Sequence, residues 1–340
     1  MRSDVINRIR KQVKFLEDRK DHLIIDADTH PTNLELLTGD TLKKYQNTPN
    51  YYHGRPISGE DLLTEMEMAG VDMALIWQNP AATPYTDDKK ENFNRLLKAN
   101  EYILSLAQSY HKKFIPAGWT DPKALGLKNA LKIVDIFMND FGFVVVKMNP
   151  AQNAFPIDSK EVITLVDKIA GLQGIVAFHY GADTPFTPAS GLEKLAKSFP
   201  ETRIIGIHMG GGGASYNEGE ELYNQTRELG LKHPNLFFVQ SAKRDTHIES
   251  DFITYALAGE PFNKNIACAS DAPYGRQTWN FGGYRAMFKS LLNSSEHTDI
   301  RVRNNPDIFK EEIQRNFMGR NLAELIINGY KMKYPEFFTN

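Results

Sequence analysis

The stretch that decides the fold is Leu23-Ile24-Ile25-Asp26-Ala27-Asp28-Thr29-His30-Pro31. Its apolar beginning is typical of a buried strand, and Pro31 marks the end because proline cannot donate a ladder hydrogen bond. Side chains alternate between the two faces of a strand, so Asp28 and His30 are predicted to project to the same side at its carboxyl end. Alone, this pair is weak evidence for a metal site, since a carboxylate beside a histidine is more often an ordinary hydrogen bond.

Further apolar segments follow the first one, and a predicted helix separates each from the next. These predicted strands cover residues 71–78, 114–119, 143–148, 175–180, 203–209, 235–240 and 265–269. Continuous apolar runs indicate strands buried on both faces, as in parallel sheets. Eight strand–helix units, with no nucleotide-type glycine turn after the first strand, favour an α/β fold of the closed (β/α)8 TIM-barrel type over an open doubly wound sheet.

The domain organisation is predicted to be simple. We expect one barrel domain over residues 1–340, with an amphipathic helical extension at 1–21 and extra helices after the last strand. The polar stretch 32–58 is predicted to be a long loop, of the kind that often serves as a lid. A helix is predicted over 214–229.

The composition limits the possible functions. The chain has 340 residues, of which 24% are charged, and its formal net charge of -2 provides no basic field for nucleic acid. No apolar run is long enough to span a bilayer, and residues 1–20 contain no signal-peptide core. The single cysteine, Cys268, fits a reducing compartment. We therefore expect a cytoplasmic protein that acts on a small molecule and has neither a nucleic-acid nor a membrane partner.

Polar side chains follow the apolar strands at the points where those strands end. Besides Asp28 and His30, they are Trp119, Lys147, His179, His208 and Asp271, after the third, fourth, fifth, sixth and eighth strands. In a barrel these ends meet at one mouth, where active sites lie. Each residue alone has an ordinary explanation, such as a rim histidine or a turn aspartate. Their joint placement predicts a functional site, because all the ordinary explanations would have to coincide in one plane.

Other residues near the predicted mouth are candidates for substrate binding. The set comprises Arg55, Trp119, Lys147, Tyr180 and Arg276. A cation of this set could bind a substrate carboxylate through charge-assisted hydrogen bonds, and the aromatic rings could wall an aromatic substrate. Each cation alone is more simply explained as solvated surface.

The order of these motifs resembles the amidohydrolase-related family of the amidohydrolase superfamily. More narrowly, it is similar to the branch that contains aminocarboxymuconate-semialdehyde decarboxylase. The resemblance extends from Ile25 to about Ile327 and includes the closing Asn316–Leu325 stretch. One departure is the aspartate at position 28, where the family more commonly has histidine.

Carried over residue by residue, the resemblance implies one divalent metal ion bound by Asp28, His30, His179 and Asp271. It further implies that Asp271 and His208 are the catalytic residues. Two carboxylates with two or three imidazoles suit Zn²⁺ first and Mn²⁺ as the alternative. The resemblance also implies a substrate with a carboxylate and a homodimer or larger assembly.

The resemblance leaves two reactions open. In a hydrolase, metal-activated water attacks the carbonyl of a lactone, ester, amide or C–C bond in a small organic acid or aromatic substrate. In a non-oxidative decarboxylase, the metal binds the substrate carboxylate and Asp271 protonates the carbon that loses it. The wider family is mostly hydrolytic, so the hydrolase is our first hypothesis. Acid-x-His variants at strand 1 occur among the family's decarboxylases, which makes the decarboxylase the alternative. A non-catalytic barrel without a metal is a third hypothesis.

Overall fold

The structure is a computed structural model that describes residues 2–49, 54–181, 185–211 and 220–338. The strands are β1 (Ile25–Thr29), β2 (Met73–Ile76), β3 (Phe114–Pro116), β4 (Gly118–Trp119), β5 (Val145–Met148), β6 (Ile175–His179), β7 (Ile204–Ile207), β8 (Leu236–Gln240) and β9 (Ile266–Cys268). Every residue of these strands is buried except His179, which is partly exposed. The buried strands explain the continuous apolar runs, because helices cover one side of the sheet and side chains fill the other.

Fifteen α-helices occur in the described part of the chain. They are α1 (Ser3–Arg19), α2 (Gly39–Asn47), α3 (Gly59–Ala69), α4 (Lys89–Ser109), α5 (Pro122–Leu125), α6 (Leu127–Asp135), α7 (Pro150–Asn153), α8 (Lys160–Gly171), α9 (Ala189–Ser198), α10 (Glu220–Lys232), α11 (Asp245–Ala258), α12 (Gln277–Leu292), α13 (Ile300–Arg303), α14 (Glu311–Arg315) and α15 (Asn321–Lys333). π-Helical turns at Ile136–Asp140 and Asn316–Arg320 follow α6 and α14.

All strand pairs are parallel, and the strands lie in the order β1-β2-β3 and β4-β5-β6-β7-β8-β9. The two sheets meet within the third predicted strand, which divides at Ala117 into β3 and β4. At the other junction, His30 N donates to Ala272 O at 2.7 Å, and Thr29 forms a parallel bridge with Ala272. This arrangement agrees with the predicted (β/α)8 barrel and brings the first strand next to the last.

Helix α1 packs at the amino ends of the strands, away from the predicted site. Its buried Arg8 donates to the carbonyl oxygens of Phe141 and Gly142, just before β5. Its buried Gln12 donates to the carbonyl oxygens of His111 and Phe114, at the beginning of β3. Buried polar groups of this kind stabilise a structure only when they are paired, so α1 is built to fit this end of the barrel.

Two predictions about local structure need correction. The predicted loop at 32–58 contains a 3₁₀ turn at Leu34–Leu36 and helix α2, while residues 50–53 lie outside the described residues. The helix predicted over 214–229 corresponds to α10, which continues for three more residues, to Lys232. Residues 214–219 of the prediction lie outside the described part. Among the described residues, no helix combines the length and the apolar character needed to cross a bilayer.

A glycine contact between the closing helices and β1 provides a test of the fold. A Cβ atom at Gly319 would lie 2.0 Å from the carbonyl oxygen of Leu23, whereas one at Gly282 on α12 would meet nothing within 4 Å. We expect Gly319→Ala to lower the free energy of unfolding by about 1–3 kcal/mol through overpacking against backbone. Gly282→Ala is the control and should stabilise the exposed helix by up to about 1 kcal/mol. Urea unfolding measures both, and equal effects of the two substitutions would contradict this packing.

Candidate metal centre

Three acceptor groups converge where the first and last strands end. One ligand atom each from Asp28, His30 and Asp271 lies within 4.8 Å of the other two. The Nε2 atom of His30 is 3.4 Å from Oδ1 of Asp28 and 3.4 Å from Oδ1 of Asp271. The strand end and the 269–272 segment therefore place an imidazole nitrogen between two carboxylate oxygens.

The tautomer of His30 follows from its other ring nitrogen. Nδ1 lies 3.0 Å from the carbonyl oxygen of Gln78, and a carbonyl can only accept, so Nδ1 is the donor. In the neutral ring Nε2 then has a lone pair directed at two carboxylates. Burial and Lys147 lower the pKa of His30, but the hydrogen bonds with Asp271 and Asp28 outweigh them and raise the pKa overall. The surroundings of Nε2 thus favour a positive charge.

The Asp28 carboxylate is fully buried, and its two oxygens have different surroundings. Oδ1 accepts from Lys147 Nζ at 3.0 Å and from Trp77 Nε1 at 2.8 Å. Oδ2 is buried and has no hydrogen-bond partner among the residues that the structure describes. Burial raises the pKa of Asp28, but the charge of Lys147 and the contact with His30 bring it well below the ordinary value. A buried, ionised carboxylate with one oxygen left without a donor, in a side chain that contacts His30, fits a bound cation.

The side chain of Lys147 is only 1% exposed and lies between aromatic rings. Its Nζ atom lies 4.0 Å from the ring centre of Trp77 and 5.2 Å from that of Trp119, a cation–π arrangement. Burial lowers the pKa of Lys147, and the negative charges of Asp28 and Asp271 partly offset this effect. Lys147, on β5, therefore faces the site, as predicted from the sequence, and pairs with Asp28.

His179, at the end of β6, and His208, directly after β7, form a second group in the same cavity. His208 Nε2 lies 3.2 Å from His179 Nδ1, and His208 Nδ1 lies 2.8 Å from Ser241 Oγ. Burial lowers the pKa of both rings, that of His179 well below its ordinary range, so both are neutral near pH 7. A neutral imidazole retains the lone pair that a metal requires. The group of Asp28, His30 and Asp271, whose ligand atoms share the 4.8 Å limit, does not include His179.

A cavity of about 270 Å³ gives access to these side chains. In the described part of the chain its lining consists of His30, Pro80, Ala81, Trp119, Lys147, Asn149, Gln152, His179, His208, Asp271 and Tyr274. Sequence reasoning did not identify Asn149 and Gln152, although they follow β5 directly. Asn149 Oδ1 accepts from Gln152 N at 2.9 Å, and Asn149 Nδ2 donates to Gln152 Oε1 at 2.9 Å. These hydrogen bonds hold both amides at the cavity wall.

The two predicted arginines line a different cavity. Arg276 Nε donates to Glu65 Oε1 at 2.8 Å, and Arg55 Nε donates to Thr48 O at 2.9 Å. The Arg55 guanidinium also lies over the Tyr45 ring, 4.0 Å from its centre. Both arginines line a neighbouring cavity of about 430 Å³. Each has a partner within the fold, so the prediction that they bind substrate gains no support from their positions.

The prediction for Tyr180 needs correction. Its side chain is buried, and its hydroxyl lies 3.4 Å from Thr226 Oγ1 on α10. Tyr180 directly follows His179, so strand alternation turns its ring to the helix layer while His179 faces the cavity. The described lining of the cavity does not include Tyr180.

Two of the candidate residues have left-handed backbone conformations. The φ angle is 73° at His208 and 60° at Asp271, and the adjoining Met209 has 44°. Such angles cost non-glycine residues of order 1 kcal/mol and are retained where the surrounding structure enforces them, often at functional sites. At Asp271 the carbonyl oxygen accepts from Tyr274 N at 2.7 Å and Gly275 N at 3.1 Å, which closes the turn.

A protein-family model described as amidohydrolase matches residues 25–321. The chain belongs to the amidohydrolase family. This match confirms the resemblance drawn from the motifs, and the chain is an enzyme of that superfamily. A comparison with curated proteins found no match.

Solved structures of the same fold include decarboxylases and a hydratase. One is 5-carboxyvanillate decarboxylase from Novosphingobium aromaticivorans with manganese and 4-hydroxy-3-methoxy-5-nitrobenzoic acid: TM-score 0.64, 14% identity, covering 91% of this chain and 97% of that chain. Another is dihydroxybenzoic acid decarboxylase from Polaromonas with manganese and 2-nitroresorcinol: TM-score 0.60, 13% identity, covering 94% and 99%. A third is 4-oxalomesaconate hydratase from Rhodopseudomonas palustris: TM-score 0.53, 15% identity, covering 92% and 100%. These likenesses confirm the TIM barrel.

Asp121, two residues after Trp119, provides a test that involves no ligand. It accepts from Ala124 N at 2.7 Å at the beginning of α5, and burial raises its pKa from 3.8 to about 6. The folded protein therefore binds this proton more tightly than the unfolded chain does. The stabilisation that this bound proton gives to the folded state is complete below about pH 4 and is lost as the pH rises through about 6.

In Asp121→Asn this titration is absent. We expect the unfolding free energy of the wild type, relative to the variant, to fall by about 2 kcal/mol between pH 4 and pH 7, at 1.36 kcal/mol for each pKa unit. Urea unfolding at several pH values measures the difference. A difference that is constant over this range would contradict a raised pKa at Asp121.

Proposed function

We propose that this enzyme is a non-oxidative, metal-dependent decarboxylase that acts on a small aromatic carboxylic acid. The observation that carries the proposal is the convergence of one ligand atom each from Asp28, His30 and Asp271 within 4.8 Å, in reach of a cavity with aromatic walls. The proposal reverses the preference for a hydrolase, because the acid at position 28 and the decarboxylases of the same fold both favour the alternative.

The residues assigned to hold the ion are Asp28, His30 and Asp271, with His179 as a fourth ligand. A divalent ion in this place would supply positive charge that binds a substrate carboxylate and a neighbouring oxygen. The three converging groups offer two carboxylate oxygens and one nitrogen, and this donor set suits Mn²⁺ as well as Zn²⁺. The named manganese complexes of similar fold support the former.

Asp271 is the residue that we assign to proton transfer. Its carboxyl group is 16% exposed at the cavity, whereas Asp28 is fully buried and already pairs with Lys147. Protonated Asp271 would donate to the ring carbon that carries the carboxylate. The bond between that carbon and the carboxylate then breaks, its electron pair stays with the ring, and carbon dioxide leaves. Asp271 regains its proton from solvent, so the net reaction consumes one proton.

The other cavity residues bind and orient the substrate in this proposal. Trp119 and Tyr274 offer flat surfaces for an aromatic ring, and Tyr274 is held by a 2.7 Å hydrogen bond from its hydroxyl to Asn79 Oδ1. Gln152 presents an amide to ring substituents. His208 is the second catalytic residue, and its ring, which lines the cavity, is assigned to contact a substrate oxygen.

Location and assembly also belong to the proposal. A cytoplasmic location is supported by the single cysteine, Cys268, which is buried. A homodimer or larger assembly is supported by the family resemblance alone. Sedimentation equilibrium measures the assembly directly.

The reaction is tested with a panel of carboxylates. The protein, loaded with Mn²⁺ or Zn²⁺, is incubated with 2,6-dihydroxybenzoate, 5-carboxyvanillate and 4-oxalomesaconate while released carbon dioxide and titratable acid are recorded. We expect carbon dioxide from an aromatic acid. Asp271→Asn should lower the rate by about 10²-fold or more, the usual contribution of a general acid. The exposed Asp307 serves as a control through Asp307→Asn, which should leave the rate unchanged.

Acid production without carbon dioxide would restore the hydrolase hypothesis. Hydration of 4-oxalomesaconate without carbon dioxide would assign the chemistry to a hydratase.

The ion's place beside Asp28 is tested through Lys147. Lys147→Met removes the charge that compensates buried Asp28, so the metal-free variant should lose about 3–5 kcal/mol of unfolding free energy. Mn²⁺ should raise its melting temperature more than that of the wild type, because the ion then compensates Asp28. Lys194→Met, which removes a surface pair with Asp158, is the control. Equal Mn²⁺ effects on all three proteins would contradict this placement.

A further inference from the structure

Asp26 lies two residues before Asp28 on β1 and is fully buried, yet it does not line the cavity. We propose that Asp26 is a positioning residue that sets the metal affinity of the site, by tying the segment that carries Asp28 to the segment that carries Asp271. The inference rests on the metal centre proposed above and assigns a role to a carboxylate outside it.

The Asp26 carboxylate receives hydrogen bonds on both oxygens. Oδ1 accepts from Ser270 N at 2.9 Å and from Asp28 N at 3.2 Å. Oδ2 accepts from Gln277 Nε2 at 2.8 Å and from the hydroxyl of Ser270. One side chain therefore holds the backbone of one proposed ligand and the residue directly before another.

The barrel depends on this side chain because the main-chain junction between its first and last strands is short. β1 and β9 belong to separately paired sheets. Between the described segments, Thr29 and Ala272 form an isolated bridge, and His30 N donates to Ala272 O at 2.7 Å. The three hydrogen bonds from Ser270 and Gln277 to Asp26 extend the junction towards the core.

The same contacts fix the backbone on both sides of Asp271. Ser270 is held by Asp26 through its amide and its hydroxyl. The hydroxyl oxygen of Ser270, Oγ, in turn accepts from Ala272 N at 3.1 Å. Asp271 is therefore clamped between two tethered neighbours in its left-handed conformation. Without the clamp, Asp271 would relax and its carboxylate would lose its position relative to His30.

The hydrogen-bond partners of Asp26 predict different effects for alanine and asparagine at this position. Alanine removes every acceptor. Asparagine keeps one oxygen for Ser270 N and Asp28 N, and places an amide group opposite Gln277. Gln277 Oε1 is buried and has no hydrogen-bond partner in the described part of the chain, so a flip of the Gln277 amide would let it accept from the new asparagine. Asp26→Asn should therefore restore most of the positioning.

The test measures Mn²⁺ binding to metal-free protein by electron paramagnetic resonance, together with the melting temperature from circular dichroism. We expect Asp26→Ala to weaken Mn²⁺ binding by about 10–100-fold, the usual effect of losing a group that orients a ligand. Asp26→Asn should bind within a few-fold of the wild type. Gln277→Leu removes one of the contacts and should weaken binding several-fold, which provides a milder variant if alanine prevents folding.

The matched control is Asp72→Ala. Asp72 Oδ2 accepts from Ile24 N at 2.8 Å, so it also tethers this strand, but just before β1 begins. This variant should lower the melting temperature and leave the Mn²⁺ affinity unchanged. Wild-type affinity in folded Asp26→Ala, or equal weakening in Asp72→Ala, would overturn the inference.

The outcomes separate this inference from the proposed function. Binding of Mn²⁺ without release of carbon dioxide would overturn the reaction and leave the role of Asp26 standing. A wild-type protein that binds neither Mn²⁺ nor Zn²⁺ would overturn the metal centre and this inference together.

Discussion

The ionised carboxylate of Asp28 is the constraint on which the mouth of the barrel depends. A buried charge costs several kcal/mol unless other groups compensate it. Here the compensation comes from Lys147 on β5 and from Trp77, which follows β2, and both act on one oxygen. The second oxygen has no donor in the described structure, and the Asp28 carboxylate lies with His30 and Asp271 in a group of acceptors. Acceptors that face one another without a donor are stable beside a cation, so the same constraint connects the packing of the barrel with its chemistry.

The closure of the barrel has the same origin. The three converging ligands come from the first strand and from the segment after the last one, and the main-chain contacts between β1 and that segment are few. Side chains therefore carry much of the junction, and Asp26 is the principal one. A site built across a junction of this kind gains its geometry only when the last strand has docked on the first, which couples the assembly of the metal centre to the completion of the fold.

Family membership restricts the reaction without deciding it. Amidohydrolase-type barrels support several chemistries, because the strands hold the reactive groups and the loops choose the substrate. The features that favour decarboxylation in this chain are local: an aspartate at position 28 where histidine is commoner, a single pairing of Lys147 with that aspartate, and a cavity of about 270 Å³ beside Trp119 and Tyr274. Asp28 and Lys147 lie on barrel strands, but the barrel fold itself does not require an aspartate or a lysine at these positions.

The sequence by itself determined the strands, their parallel order and the residues at their carboxyl ends, because burial on two faces and alternation along a strand are local properties. It therefore predicted Asp28, His30, Lys147, His179, His208 and Asp271 as neighbours. Only the tertiary structure decided which ring nitrogen of His30 is free, where Arg55, Arg276 and Tyr180 point, and that Asn149 and Gln152 face the cavity. These features depend on contacts between residues far apart in the chain, such as Gln78 with His30 and Glu65 with Arg276, and no local pattern encodes such contacts.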